Sequence, residues 1–233
     1  MIKMVIVGRR RSGMTLAQLH SYLLNIHGPM VVAHIKRDGG ALPKRYVQNH
    51  AFDGFYKSAA TPISADPFSL NRDFVTQVWF DDVPQAMAAL QQPFYLSTLQ
   101  PDEDNFVEQS SVVKLPVIDK LVSGTQESKA GFKTFVFAKR AASMTLDEFH
   151  LTWSALLSGI SQTLATTVGG LERHVQCTVM HRPNEQAPID GISECWFTSK
   201  EQATQGLEHI RQVLSTHEIS TIGLSAQEHV LYV

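Results

Sequence analysis

The chain has 233 residues, room for one large or two small domains, and sets 20 Lys plus Arg against 22 Asp plus Glu for a formal charge of −2. Proteins that grip nucleic acid through its phosphates carry a basic excess, so no nucleic-acid partner is expected. Two cysteines are too few for a disulfide framework, and no apolar run is long enough to cross a bilayer. The expectation is a cytoplasmic protein with no membrane partner.

The first element is a strand at Lys3–Arg9, apolar at both alternating sets of positions and so expected to be buried on both faces. A capping box, Thr15-x-x-Gln18, opens a helix with Leu16, Leu19, Leu23 and Ile26 at helical spacing. Gly28-Pro29 is expected to stop it. Strands follow at Arg45–Ala51 and Phe74–Phe80, then a short helix near Pro84–Leu90 and a last strand near Ser111–Pro116. Between these strands the Ser-, Ala- and Pro-rich loop Lys57–Asp73 has the length of a lid.

The second half repeats the pattern. Residues 2–20 lie over 132–150 without a gap, and Lys3, Arg10, Met14, Thr15, Leu16 and His20 meet Lys133, Arg140, Met144, Thr145, Leu146 and His150. Arg45–Gln48 answers Arg173–Gln176, and Trp79-Phe80 answers Trp196-Phe197. Three matches in one order point to a duplicated unit. The predicted organisation is 1–116 as one unit, 117–131 as a Gly- and Ser-marked linker, and 132–233 as a second unit.

Each unit reads β-α-β-β-α-β, the ferredoxin-like order. The fold class predicted is therefore α+β: two tandem ferredoxin-like units packed sheet to sheet as an intrachain pseudo-dimeric barrel. A cavity between the two sheets would then suit a small hydrophobic molecule. Strand parity puts Val47 and Asn49 towards the helices, with Tyr46, Gln48 and His50 on the cavity. It also sends Val78 and Phe80 to the helices and Gln77 and Trp79 to the cavity, with Glu194 and Trp196 as their counterparts. A one-residue register shift reverses every assignment.

The runs Arg9–Met14 (RRRSGM) with Thr15 and Leu16, His27-Gly28-Pro29, Arg45–His50 (RYVQNH) and Val78–Asp81 (VWFD) resemble the EthD family. So do Asp102-Glu103 with Phe106, and Glu194-Cys195-Trp196-Phe197 in the second half. The resemblance implies the dimeric α+β barrel superfamily, whose members include cofactor-free monooxygenases, polyketide cyclases, dehydratases and lactone isomerases, with some distant haem binders. In the second half His27-Gly28-Pro29 is replaced by Leu157-Ser158-Gly159, which marks the first unit as the active half.

His27 is the leading acid/base candidate, because imidazole titrates near neutrality and needs no cofactor. Its alternative role is to cap carbonyls at a helix C-terminus. His50 and Tyr46 are expected to assist. Arg9, Gln48, Asn49, Gln77, Trp79, Asp81, Glu194 and Trp196 are the substrate-binding candidates. No metal-binding spacing, nucleotide loop or nucleophile elbow occurs, so neither metal nor cofactor is expected. The function expected is a cofactor-independent dehydratase, cyclase or isomerase acting by proton transfer on a small, hydrophobic, aromatic or polyketide-like substrate. The alternatives are a non-catalytic hydrophobic-ligand carrier and, further off, a haem-binding or monooxygenase relative. A homodimer is compatible with either.

Overall fold

The computed structural model describes residues 1–37, 42–57, 71–180 and 187–233. The Gly39-Gly40 pair and most of the loops Lys57–Asp73 and His181–Gly191 lie outside the described residues. Among the described residues eight strands occur: β1 (Ile2–Gly8), β2 (Arg45–Lys57), β3 (Phe74–Phe80), β4 (Val113–Gly124), β5 (Phe132–Lys139), β6 (Leu171–Val179), β7 (Gly191–Phe197) and β8 (Ser220–Tyr232).

The strands hydrogen-bond in the order β1-β3-β2-β8-β5-β7-β6-β4, and β1 closes the ring by pairing antiparallel with β4. This corrects the expectation of two ferredoxin-like units stacked sheet on sheet as a pseudo-dimer: there is one closed eight-stranded barrel. The physical reason lies in strand length. β2, β4 and β8 run 13, 12 and 13 residues, well past what a short hairpin partner covers, and an unpaired edge is satisfied by another strand rather than by a facing sheet. Residues 117–124, expected as linker, are accordingly the last two-thirds of β4.

Two compact units share these long strands. One comprises residues 1–50, 72–117 and 228–233, the other 51–71 and 118–227. In the first unit Thr15 caps α1 (Leu16–Tyr22) through the expected capping box with Gln18. The helix does not stop at Gly28-Pro29. It passes through a π turn (Leu23–His27) into α2 (Gly28–Arg37). The wider turn sends the Gly28 N–H to the Leu23 carbonyl, and proline, which lacks an N–H, sits early in the new helix where none is required. Then come α3 (Val83–Ala89), capped by Asp82, a second π turn (Tyr95–Leu99) and α4 (Gln100–Glu103).

The second unit carries α5 (Leu146–Thr167), opened by the Thr145/Glu148 capping box, and α6 (Lys200–Leu214). Phe149, Trp153, Leu157, Ile160 and Leu164 of α5 join Ala203, Leu207, Ile210 and Leu214 of α6 in one continuous core with Val136, Cys195 and Phe197 of the sheet. Among the described residues the first unit has two smaller clusters instead. Leu19, Leu23, Phe74, Phe106 and Val107 form one, and Ile2, Phe80 and Ala86 the other.

Register decides the faces. Met4 and Ile6 stand opposite Val78 and Thr76, and Tyr46 and Gln48 stand opposite the same two residues from the other side. Directly opposed residues share a face. Tyr46, Gln48 and His50 therefore lie on the helix-covered face, while Val47 and Asn49 share the opposite face with Gln77 and Val75. This reverses the predicted parity of the second strand and leaves that of the third as expected. Val47 is the apolar member of its pair, but alternation alone cannot say which apolar layer it joins.

Candidate functional site

A cavity of about 140 Å³ lies within the first unit, between its helices and the even-numbered residues of β1 and β3. Met4, Ile6, Val78 and Phe80 floor it, Leu23, Val31 and Ile35 roof it, and Phe106 and Val107 close one side. It separates the two small hydrophobic clusters of that unit, with residues of both in its wall. This cavity lies under the helices of the first unit, not between two stacked sheets. An apolar cavity of about 150 Å³ accommodates benzene, which sets the scale of a ligand.

His27 is the last residue of the first π turn and lines the cavity. Its Nδ1 lies 2.9 Å from Asp102 Oδ2, with side chains only 12% and 10% exposed. Tyr22 donates to Asp102 Oδ1 at 2.6 Å, and Asn105 Nδ2 donates to the same oxygen at 3.2 Å. Burial works to raise the Asp102 carboxyl, but hydrogen bonds from Tyr22, His27 and Asn105 outweigh it and hold the group below its ordinary value. Burial and the Asp102 carboxylate push the Tyr22 phenol up. An ionised carboxylate only accepts, so Nδ1 of His27 carries a proton and Nε2 of the neutral ring is a base. The ring edge packs on Phe106, with centroids 4.8 Å apart. The role of helix C-terminal cap does not apply, since the helical run continues past His27 to Arg37.

The π turn explains the pairing. Tyr22 and His27 are five residues apart, which in a regular α-helix places them about 140° apart around the axis. A wider turn brings both to one carboxylate. Gln48 holds the turn open: its Nε2 donates to the Leu23 carbonyl at 2.9 Å and to the Tyr46 hydroxyl at 2.7 Å. A Cβ on Gly28 would stand 2.7 Å from the Leu23 carbonyl, 2.7 Å from Leu231 Cδ1 and 3.0 Å from Gln48 Nε2, so only glycine permits this approach.

Tyr46 lines the cavity with 2% of its surface exposed, and burial pushes its phenol well above the ordinary range; Gln48 opposes this and the Glu103 carboxylate adds to it. A second polar cluster lines the same cavity. Tyr95 donates to Glu103 Oε1 at 3.2 Å and accepts from Lys114 Nζ at 3.2 Å, while Lys114 lies 3.8 Å from Glu103 Oε2. The Tyr95 phenol is raised by burial and by Glu103.

His50 does not reach the cavity. Its Nε2 donates to Gln48 Oε1 at 3.0 Å, and its ring lies between His20 (4.7 Å) and His229 (4.5 Å). Burial, then the two neighbouring histidines, pushes it down to about 3. It is a neutral strut behind Gln48, and Gln48 in turn supports Tyr46. The remaining candidates lie elsewhere. Asn49 Nδ2 donates to Gln77 Oε1 and to the Val75 carbonyl on the opposite sheet face. Trp79 is flanked by Lys3 and Arg45, and Trp196 by Lys133 and Arg173, as cation–π partners. Asp81 is exposed beside Lys44. Glu194 accepts from Cys177 Sγ at 3.1 Å in the second unit, and Arg9 pairs with Glu108.

Sequence reasoning missed Tyr22, Tyr95, Asn105 and Lys114. The Asp102-Glu103 pair was visible only as part of a family-like segment, with no role attached. The axial-ligand alternative for His27 or His50 does not fit: a cavity on the scale of benzene is far smaller than a haem macrocycle, and Nε2 of His50 is engaged with Gln48. Among the described residues no group of three or more His, Cys, Asp or Glu is placed to hold a metal ion, and no helix is long and apolar enough to cross a membrane.

A buried carboxylate holding an imidazole against an apolar cavity, on one half of a closed α+β barrel, defines the class of site. The sequence adds to this: residues 11–110 match the EthD domain. His27, Tyr46, Asp102 and Glu103 all fall within that span. Among solved structures, an anthrone oxidase-like protein is similar over 99% of this chain and 93% of its own, at 9% identity and a TM-score of 0.56. A mutant chlorite dismutase from Candidatus Nitrospira defluvii is similar over 99% and 92%, at 10% identity and a TM-score of 0.52. At these identities the likeness is one of fold. The sequence matches no curated protein.

Proposed function

We propose that this protein is a cofactor-independent enzyme that moves a proton on a small apolar molecule, in a dehydration, cyclisation or isomerisation. His27 is the acid/base, Asp102 orients it, and Tyr46 supplies a hydrogen bond to the substrate. The observation that carries this is the His27–Asp102 pair: with Nδ1 committed to the carboxylate, Nε2 is the nitrogen of this cavity-lining ring left to act as a base. General acid/base catalysis by such a positioned group is worth about 10²–10⁴-fold. Asp102 also stabilises the imidazolium that forms when His27 takes a proton, as an ion-paired partner does.

The chain organisation that goes with this proposal is a duplicated unit in which residues 1–116 work and 132–233 support. Leu157 stands where the His27 alignment falls and is wholly buried in the α5 core.

The test follows solvent deuterium exchange at the activated C–H positions of a panel of one-ring carbon acids: a nitrile, a nitro compound and a ketone. Wild type is expected to exchange at least one of them, and His27→Gln and His27→Ala to lose about 10²–10⁴ of that rate. Equal exchange by all three proteins overturns the role of His27. Binding without exchange in wild type identifies a ligand carrier instead.

A further inference from the structure

We propose that Tyr46 and Glu103 together make the cavity selective for a neutral carbonyl compound of about one ring, with the Tyr46 hydroxyl donating to the carbonyl oxygen. The proposal rests on the cavity described above and deepens its functional reading by naming a substrate class.

The first observation is an incomplete hydrogen bond. The Tyr46 oxygen accepts from Gln48 Nε2 at 2.7 Å. Gln48 cannot turn round to accept instead, because the same Nε2 also donates to the Leu23 carbonyl and its Oε1 accepts from His50. Tyr46 therefore retains its O–H proton, and among the described residues no group accepts it. Buried hydroxyls are rarely left so. The phenol is 2% exposed and lines the cavity. What it lacks is an acceptor, and a carbonyl oxygen in the ligand supplies one.

The second observation sets the charge of that acceptor. The Glu103 carboxylate lines the same cavity as Tyr46, and it adds to the upward push that burial exerts on that phenol. Lys114 is spent on Tyr95 and on Glu103 itself. A carboxylate or phosphate bound at Tyr46 would face a like charge in an apolar surround. A ketone, lactone or enone would not. Asp102 and Glu103 are consecutive, so one short helix sends one carboxylate to the base and the next to the selecting end of the cavity.

The chemistry follows. A carbonyl held by Tyr46 acidifies the C–H beside it, and Nε2 of His27 takes that proton. The C–H electron pair becomes the C=C π bond of an enolate, and the carbonyl π pair moves onto the oxygen that Tyr46 already holds. The His27 imidazolium then returns its proton to a different carbon for an isomerisation, or gives it to a β-hydroxyl that leaves as water while the enolate collapses to the enone, for a dehydration.

The experiment uses acetophenone, ethylbenzene and benzoate with the full chain, measuring affinity by ligand-observed NMR. Acetophenone is expected to bind at least tenfold more tightly than benzoate. Tyr46→Phe should weaken acetophenone about tenfold, the value of one hydrogen bond, and leave ethylbenzene within twofold. Glu103→Gln, which keeps an acceptor for Tyr95, should narrow the benzoate gap by fivefold or more. Benzoate binding as well as acetophenone overturns the proposal, as does an equal loss of acetophenone and ethylbenzene in Tyr46→Phe. If Tyr46→Phe fails to fold by circular dichroism, the wild-type ratio and Glu103→Gln still decide. His27→Gln separates this proposal from the dyad: acetophenone bound normally with α-deuterium exchange lost supports both. Exchange surviving in that variant overturns the dyad and leaves carbonyl selection intact.

Discussion

Two helical runs of equal length and equal beginning have opposite interiors. Leu16–Arg37 and Leu146–Thr167 are both 22 residues long, and both start at a threonine capping box. The second is a regular α-helix whose Trp153, Leu157, Ile160 and Leu164 are almost wholly buried in one core. The first is interrupted by a π turn, splits its core into two clusters and roofs a cavity. The difference shows what a functional helix gives up. One extra residue in a turn rotates His27 onto Asp102, and Leu23, which aligns with the buried Trp153 of the second run, borders an open cavity instead.

That contrast is broken most severely in the filled unit. Trp153→Ala is expected to cost about 3–5 kcal/mol, because a large side chain leaves a closed hole. Leu23→Ala borders a space that is already open, and should cost nearer 2 kcal/mol, the low end for such truncations. Urea unfolding of both variants measures the pair. Equal losses would mean that the first unit is packed as tightly as the second.

Acid sharpens the comparison next. Burial leads in pushing His50 down to about 3 in the first unit, and it pushes His174 down to about 4 in the second. Both rings are neutral when folded, whereas the unfolded chain binds their protons near pH 6.5. A group whose folded value is depressed in this way favours unfolding as pH falls. Each histidine should remove about 1.4 kcal/mol of stability per pH unit below 6.5. The loss levels off near pH 4 for His174 and near pH 3 for His50. Stability measured at pH 6, 5 and 4 should therefore fall less steeply in His50→Gln and in His174→Gln than in wild type. An unchanged slope in His50→Gln would mean that the ring between His20 and His229 is already protonated in the folded protein.

The parts legible in the sequence are those written locally. Capping boxes at Thr15 and Thr145 depend on residues three apart, and both are present. The EthD-like motifs led to His27 and Tyr46, and both line the cavity. What stayed hidden depends on register and on long-range contact. Alternation along Arg45–His50 has two signs, and only pairing with Phe74–Phe80 chooses between them. Asp102 is 75 residues from His27, and no periodicity links them. Gly28-Pro29 reads as a stop by local rules, and only the π turn, held by a glutamine from β2, carries the helix through it. A barrel was legible, but not the way its ring is built, since β2, β4 and β8 continue past the ends that their apolar patterns suggest.

The smallest effects come from two glycines that occupy neighbouring places in the two runs. Gly28 has the Leu23 carbonyl and Leu231 within 2.7 Å of where a methyl group would sit, and the carbonyl cannot move without undoing the π turn. Gly159 lies exposed within α5 with nothing within 4 Å. Gly28→Ala should then cost about 1–3 kcal/mol through overpacking, whereas Gly159→Ala should add about 0.5–1 kcal/mol by restricting the unfolded chain and improving helix propensity. Opposite signs in thermal unfolding are expected. Gly28→Ala carries a second readout, because displacing Gln48 from the Leu23 carbonyl also displaces Tyr46, so acetophenone affinity should fall together with stability. A Gly28→Ala protein that is less stable but binds the ketone as before would separate the π turn from the selecting phenol, and Gln48 would then be a support for the helix alone.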